Sequence, residues 1–126
     1  MSTLAKIGLC ELAVAGLMGW AIVVRLERPD LLTRAGIKSP RRLLQAHLDY
    51  VMMGLILVAV GLALPGIPDW IAAALIFGTL VNPSLFLPLA WNEDLAKNAP
   101  YRTLSVVSFI AMSGGLVAVA IEGLSR

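Results

Sequence analysis

Four apolar blocks, each close to twenty residues long and nearly free of charge, constrain this chain more than any other feature. They run from about Ile7 to Val24, Leu43 to Leu64, Trp70 to Trp91 and Leu104 to Leu124. At a rise of about 1.5 Å per residue, ~20 residues cross the ~30 Å hydrocarbon layer of a bilayer. A water-soluble fold of 126 residues could not bury a chain that is 59% apolar and only 14% charged; an average soluble domain is about a quarter charged. The mean hydropathy of +0.85 points the same way. The expected fold is all-α: one integral membrane domain over residues 1–126, built as a four-transmembrane-helix bundle with almost no soluble part.

The connections differ in kind. Arg25 to Arg42 is polar and carries six basic residues, and Asn92 to Arg102 carries Lys97 and Arg102. Between them, Leu64 to Asp69 is a tight turn with no basic residue. The two odd loops hold eight of the ten Lys and Arg, so the positive-inside rule places them in the cytoplasm and both termini outside. In a bacterium this is a multi-pass protein of the inner membrane. Trp20, Trp70, Trp91 and Tyr101 fall near block ends, where interfacial aromatics belong. The first block is read as a retained helix, because Glu11 interrupts it and no small-x-small cleavage site precedes Arg25. A net charge of +2 does not suggest nucleic-acid binding. The lone Cys10 forms no intrachain disulfide and is read as a small buried apolar residue. Ser39-Pro40 reads as a helix N-cap followed by Pro at the first helical position.

Polar groups inside such blocks are costly and therefore candidates for function. The second block carries His47, the only histidine, on a face with Tyr50, Gly54, Val58 and Gly61. Glycines along that face can do either of two things. They let a neighbouring helix approach closely, or they leave room for a flat cofactor beside an imidazole ligand. In the third block, Thr79 and Asn82 share a face, and Pro83 predicts a kink because it cannot bond the Thr79 carbonyl. Asn82 either satisfies that exposed backbone or a neighbouring helix, or lines a polar pocket. By depth, His47 and Asn82 could bracket one cavity in the cytoplasmic half. Glu11 and Glu122 lie near the external face and either snorkel to it or pair inside the bundle. Gly114, Ala118 and Glu122 share one face, as do Ala15 and Gly19, in patterns that favour close helix contact. No Walker loop, zinc spacing, nucleophile elbow or CxxCH motif is present.

The stretch Leu44-Gln45-Ala46-His47-Leu48-Asp49-Tyr50-Val51-Met52-Met53-Gly54 resembles the signature of hydroxylaminobenzene mutase and its relative styrene oxide isomerase. There an Ala-His is followed seven residues later by Gly, then by an apolar run ending in Leu-Pro or Trp-Pro; here Gly54 and Leu64-Pro65 stand at those places. Gly78-Thr79-Leu80-Val81-Asn82 is similar to the Gly-Thr-x-x-Asn of the mutase's third helix. The likeness covers about residues 40 to 90. It implies an enzyme that moves an oxygen function within a small aromatic molecule, an aryl hydroxylamine or an aryl epoxide, with no net redox change. It also implies a trimer carrying heme b, with His47 at the position of the iron ligand. Two positions depart from the isomerase pattern: Met53 replaces an Asn and Phe86 replaces a Tyr. Both departures remove polar groups expected to handle substrate.

Together these features set out an expectation of a membrane-embedded isomerase or mutase acting on small aromatic molecules. His47 would hold the metal. Gly54 would border the cofactor, and Asp49 of a neighbouring subunit, or a backbone carbonyl, would orient the imidazole. Asn82, Tyr50 and Thr79 are the candidate catalytic residues. The partners expected are the lipid bilayer and further copies of the chain, a trimer being favoured. The alternative is a non-enzymatic four-helix membrane protein that binds a partner subunit or lipid. A small multidrug-type transporter would need a central carboxylate, for which Glu11 is the only candidate.

Overall fold

The computed structural model describes all 126 residues, Met1–Arg126, and contains helices and no strands. Helix α1 is Thr3–Glu27, α2 Pro29–Arg34, α3 Pro40–Ala63, α4 Asp69–Ser84, α5 Phe86–Trp91 and α6 Ala99–Ser125. A short 3-10 helix, Glu93–Lys97, precedes α6. Helices α1, α3, the α4–α5 pair and α6 are each long and apolar enough to cross a membrane. The protein is thus an all-α, multi-pass membrane bundle.

The helices outrun the apolar blocks because their ends are fixed by capping rather than by hydropathy. The Ser2 hydroxyl accepts from Ala5 N–H at 3.2 Å, which starts α1 ahead of Ile7. The Asn98 side chain accepts from Tyr101 N–H at 3.2 Å, which starts α6 ahead of Leu104. Ser39 does occupy the N-cap of α3 with Pro40 at its first position, but its side chain caps no backbone N–H. The polar stretch 25–42 is not plain loop: it folds into α2, closed by Gly36 at φ 84°, a conformation that suits glycine. Gly66 at φ 77° does the same for the hairpin between α3 and α4.

The third span breaks, as Pro83 predicts, but at Leu85. Pro83 and Pro88 lack an N–H and leave the carbonyls of Thr79 and Ser84 without their helical partners, so the strain of two prolines falls between them.

The helices pack in the order α1, α3, α4, α6. Leu4, Leu57, Ile71 and Leu75 form the core at the end of the hairpin. At the opposite end, Leu32, Leu43 and Ala90 form a second, smaller one. The two basic loops meet at that second end. Lys38 N–H and Ser39 N–H both donate to Ala90 O, at 2.8 and 2.9 Å, and Trp91 Nε1 donates to Ala35 O at 3.1 Å. Arg42 Nε donates to Glu93 Oε1 at 3.0 Å.

Candidate functional site

Between α3 and α6, over the break in the third span, lies a cleft of about 630 Å³. It exists because α3 and α6 pack on α4 rather than on each other. Asp49 and Met53 from α3, Asn82 from α4, Phe86 from α5, and Tyr101 and Phe109 from α6 line it, with Arg42 and Arg102 at the loop end. Val106, Phe109 and Ile110 also border it and are each more than half exposed, so one side is open.

Asn82 is set in the cleft by two contacts with α6. Its Oδ1 accepts from the buried Ser108 hydroxyl at 2.6 Å, and its Nδ2 reaches Met112 Sδ at 3.7 Å. Sulfur is a weak acceptor, so the amide N–H groups keep most of their capacity for a ligand oxygen. Asp49 faces the same space from α3. The cleft therefore offers an amide donor, a carboxylate acceptor and aromatic walls.

Four positions marked out by the sequence converge here: Asn82, Asp49 and the two departures, Met53 and Phe86. Other candidates do not. The Tyr50 hydroxyl is 2.6 Å from Ser84 Oγ, bridging α3 to the end of α4. Thr79 is fully buried and donates to Leu75 O at 2.7 Å, back along its own helix. Neither lines the cleft.

His47 turns away from it. The Nδ1 atom lies 2.8 Å from Ala15 O of α1. Around α3, His47 is roughly 120–160° from Arg42, Asp49 and Met53, at 3.6 residues per turn. Within one chain, then, His47 and Asn82 do not bracket one cavity. The contact does supply the backbone carbonyl that orients an imidazole. With Nδ1–H donated to Ala15, Nε2 carries the free lone pair.

Gly54 is not beside open space. A Cβ built on it would lie 2.9 Å from Gly8 O and 3.0 Å from Leu12 Cγ, and one on Gly61 would lie 2.5 Å from Ser2 Oγ. Of the two readings open for the glycine face, the structure takes close helix approach: α1 fills it. The free space near the imidazole comes instead from α1. A Cβ on Gly19 would meet only His47 Cε1, at 3.7 Å, and one on Gly16 would meet nothing within 4 Å.

The sequence reading took Tyr101 for an interfacial aromatic only and missed Ser105, Ser108 and Met112. Their spacing of four, three and four residues puts them on one face of α6, and that polar stripe was the available signal. It also placed Cys10 inside, whereas Cys10 is exposed. Glu11 does not snorkel; it is 2% exposed, between α1, α3 and α4.

Fold and cleft define a multi-pass membrane protein with a lateral, partly polar cleft. Comparison with protein families, with curated proteins and with solved structures finds no match for this chain.

Proposed function

We propose that the protein is a membrane-embedded isomerase that moves an oxygen function within a small aromatic molecule, an aryl hydroxylamine or an aryl epoxide. One observation carries the reading. The positions that the sequence resemblance assigns to substrate, Met53, Asn82 and Phe86, come from three separate helices and meet in one cleft of suitable size. Apolar and aromatic walls suit the ring. The Asn82 amide is placed to donate to the substrate oxygen, and Asp49 to accept from an N–H or O–H. Entry from the bilayer suits an apolar substrate.

His47 is the residue that would hold heme b, and its surroundings fit: Nδ1 is occupied by Ala15, Nε2 is free, and Gly16 and Gly19 leave the flank open. Bound there, heme iron would supply a Lewis acid to polarise the migrating oxygen. Because His47 and the cleft lie on different faces of α3, the reading calls for an oligomer, a trimer by the resemblance, in which they come from different copies. Both termini lie outside and the basic loops in the cytoplasm.

The test is conversion by the purified, lipid-reconstituted protein. An aryl epoxide or aryl hydroxylamine is expected to give a product of unchanged mass with its oxygen moved, and His47→Ala is expected to abolish this. No conversion of either class contradicts the proposal. The alternative, a non-enzymatic lipid-binding protein, is favoured by the open side of the cleft and by Arg102, which has no carboxylate partner at its mouth.

A further inference from the structure

Glu11 is the most isolated polar group in the molecule. It is 2% exposed, sits two turns into α1, and neither carboxyl oxygen has a hydrogen-bond partner. Its surroundings explain what it can bind. On α3 the titratable group acting on it is Asp49, whose negative charge opposes a second one. On α4 the polar neighbour is Thr79, and the only titratable side chain of that helix is Asp69 at its first residue. On α1 itself Lys6 is exposed and one turn or more away.

Thr79 decides the matter. Its hydroxyl hydrogen is given to Leu75 O at 2.7 Å, so it can donate to a Glu11 carboxylate only by giving up that bond. An ionised carboxylate would have beside it only a hydroxyl already committed to a carbonyl, with the Asp49 charge opposing it from the cleft side of α3; burying such a charge is far more costly than burying the acid. A metal cation is no better, since Na⁺-sized and larger ions need about six oxygen ligands and the junction offers Glu11 and Thr79. A proton needs one acceptor, and Thr79 is the polar side chain beside the carboxyl.

We propose that Glu11 is a proton-binding site of the bundle. As the neutral acid it donates to Thr79 Oγ1 and locks α1 against α3 and α4; loss of that proton undocks α1. Ala15, which holds the His47 ring, lies one turn further along α1, so the proton also sets the packing on which the imidazole's orientation depends. This holds whatever molecule occupies the cleft.

Infrared spectroscopy of protein carrying ¹³C-labelled glutamate tests it. At neutral pH the wild type is expected to show an isotope-shifted carboxylic acid C=O band that Glu11→Gln removes and Thr79→Val moves. The amide of Gln can donate to Thr79 as the acid does, so Glu11→Gln is expected to keep α1 protected from hydrogen exchange. In the wild type that protection falls at alkaline pH; in Glu11→Gln it does not. Absence of a labelled carboxylic acid band in the wild type overturns the proposal without recourse to any variant. So does a band unchanged in Thr79→Val, or a loss of α1 protection with the same pH dependence in Glu11→Gln.

Discussion

A Cβ added to Gly8 would lie 2.6 Å from the carbonyl oxygen of Gly54 and 2.8 Å from a methyl of Val58. Helices α1 and α3 therefore touch backbone to backbone at this level, a contact that two glycines allow and no side chain can join. Gly8→Ala and Gly54→Ala are each expected to lower stability by about 1–3 kcal/mol, as overpacking does. Gly16→Ala, with nothing within 4 Å, is the control and is expected to be silent. Reversible unfolding in mixed detergent micelles measures all three.

Asn82 is expected to carry two roles that separate by mutation. Ser108→Ala removes the α4–α6 hydrogen bond and should cost about 0.6–2 kcal/mol, the range for such bonds between membrane helices. Asn82→Ala should lose the same stability and in addition lower turnover by on the order of 100-fold, as misplacing a substrate does. Stability and kcat measured on both variants check this; equal kcat in the two assigns Asn82 to packing alone.

How far the sequence speaks for the structure depends on the kind of signal. Hydropathy over twenty residues is a strong signal, and it marks all four spans. Capping is local and polar, so Ser2 and Asn98 extend α1 and α6 beyond what hydropathy shows. For the site, the residue types were legible but the faces were not. His47 and Asp49 are two residues apart on α3, and only the packing of α1 decides that one meets Ala15 and the other the cleft. Gly54 and Gly61 read either as a seat for a neighbouring helix or as room for a cofactor, and the packing of α1 takes the first. Glu11 looked peripheral because its distance from the helix end was counted from the apolar block, not from the capped start at Thr3.

Acid should loosen the basic-loop end first. The Ser39 hydroxyl and the Arg42 guanidinium beside Glu93 hold its carboxyl below its ordinary value of 4.5. A lowered carboxyl contributes stability that is present above the unfolded value and is lost as pH falls through the folded one. Between neutral pH and about 5 the tie should therefore hold, and below 4.5 it should fade. Hydrogen exchange of residues 93–97 against pH is the measurement, and Glu93→Gln should remove the dependence.

The basic loops are expected on the cytoplasmic side. In cells, a membrane-impermeant thiol reagent should reach Asp69→Cys from outside and Lys38→Cys only after the membrane is opened, with Cys10 replaced by Ser in both. The reverse pattern inverts the orientation.

The central claim is that His47 serves as the axial ligand of a heme, with Ala15 fixing the ring so that Nε2 is the ligand atom. The absorption spectrum of protein purified from cells given ample heme precursor tests it most directly. A Soret band is expected in the wild type, and its loss in His47→Ala while the oligomer survives. No Soret band in the wild type, or an unchanged band in His47→Ala, contradicts it.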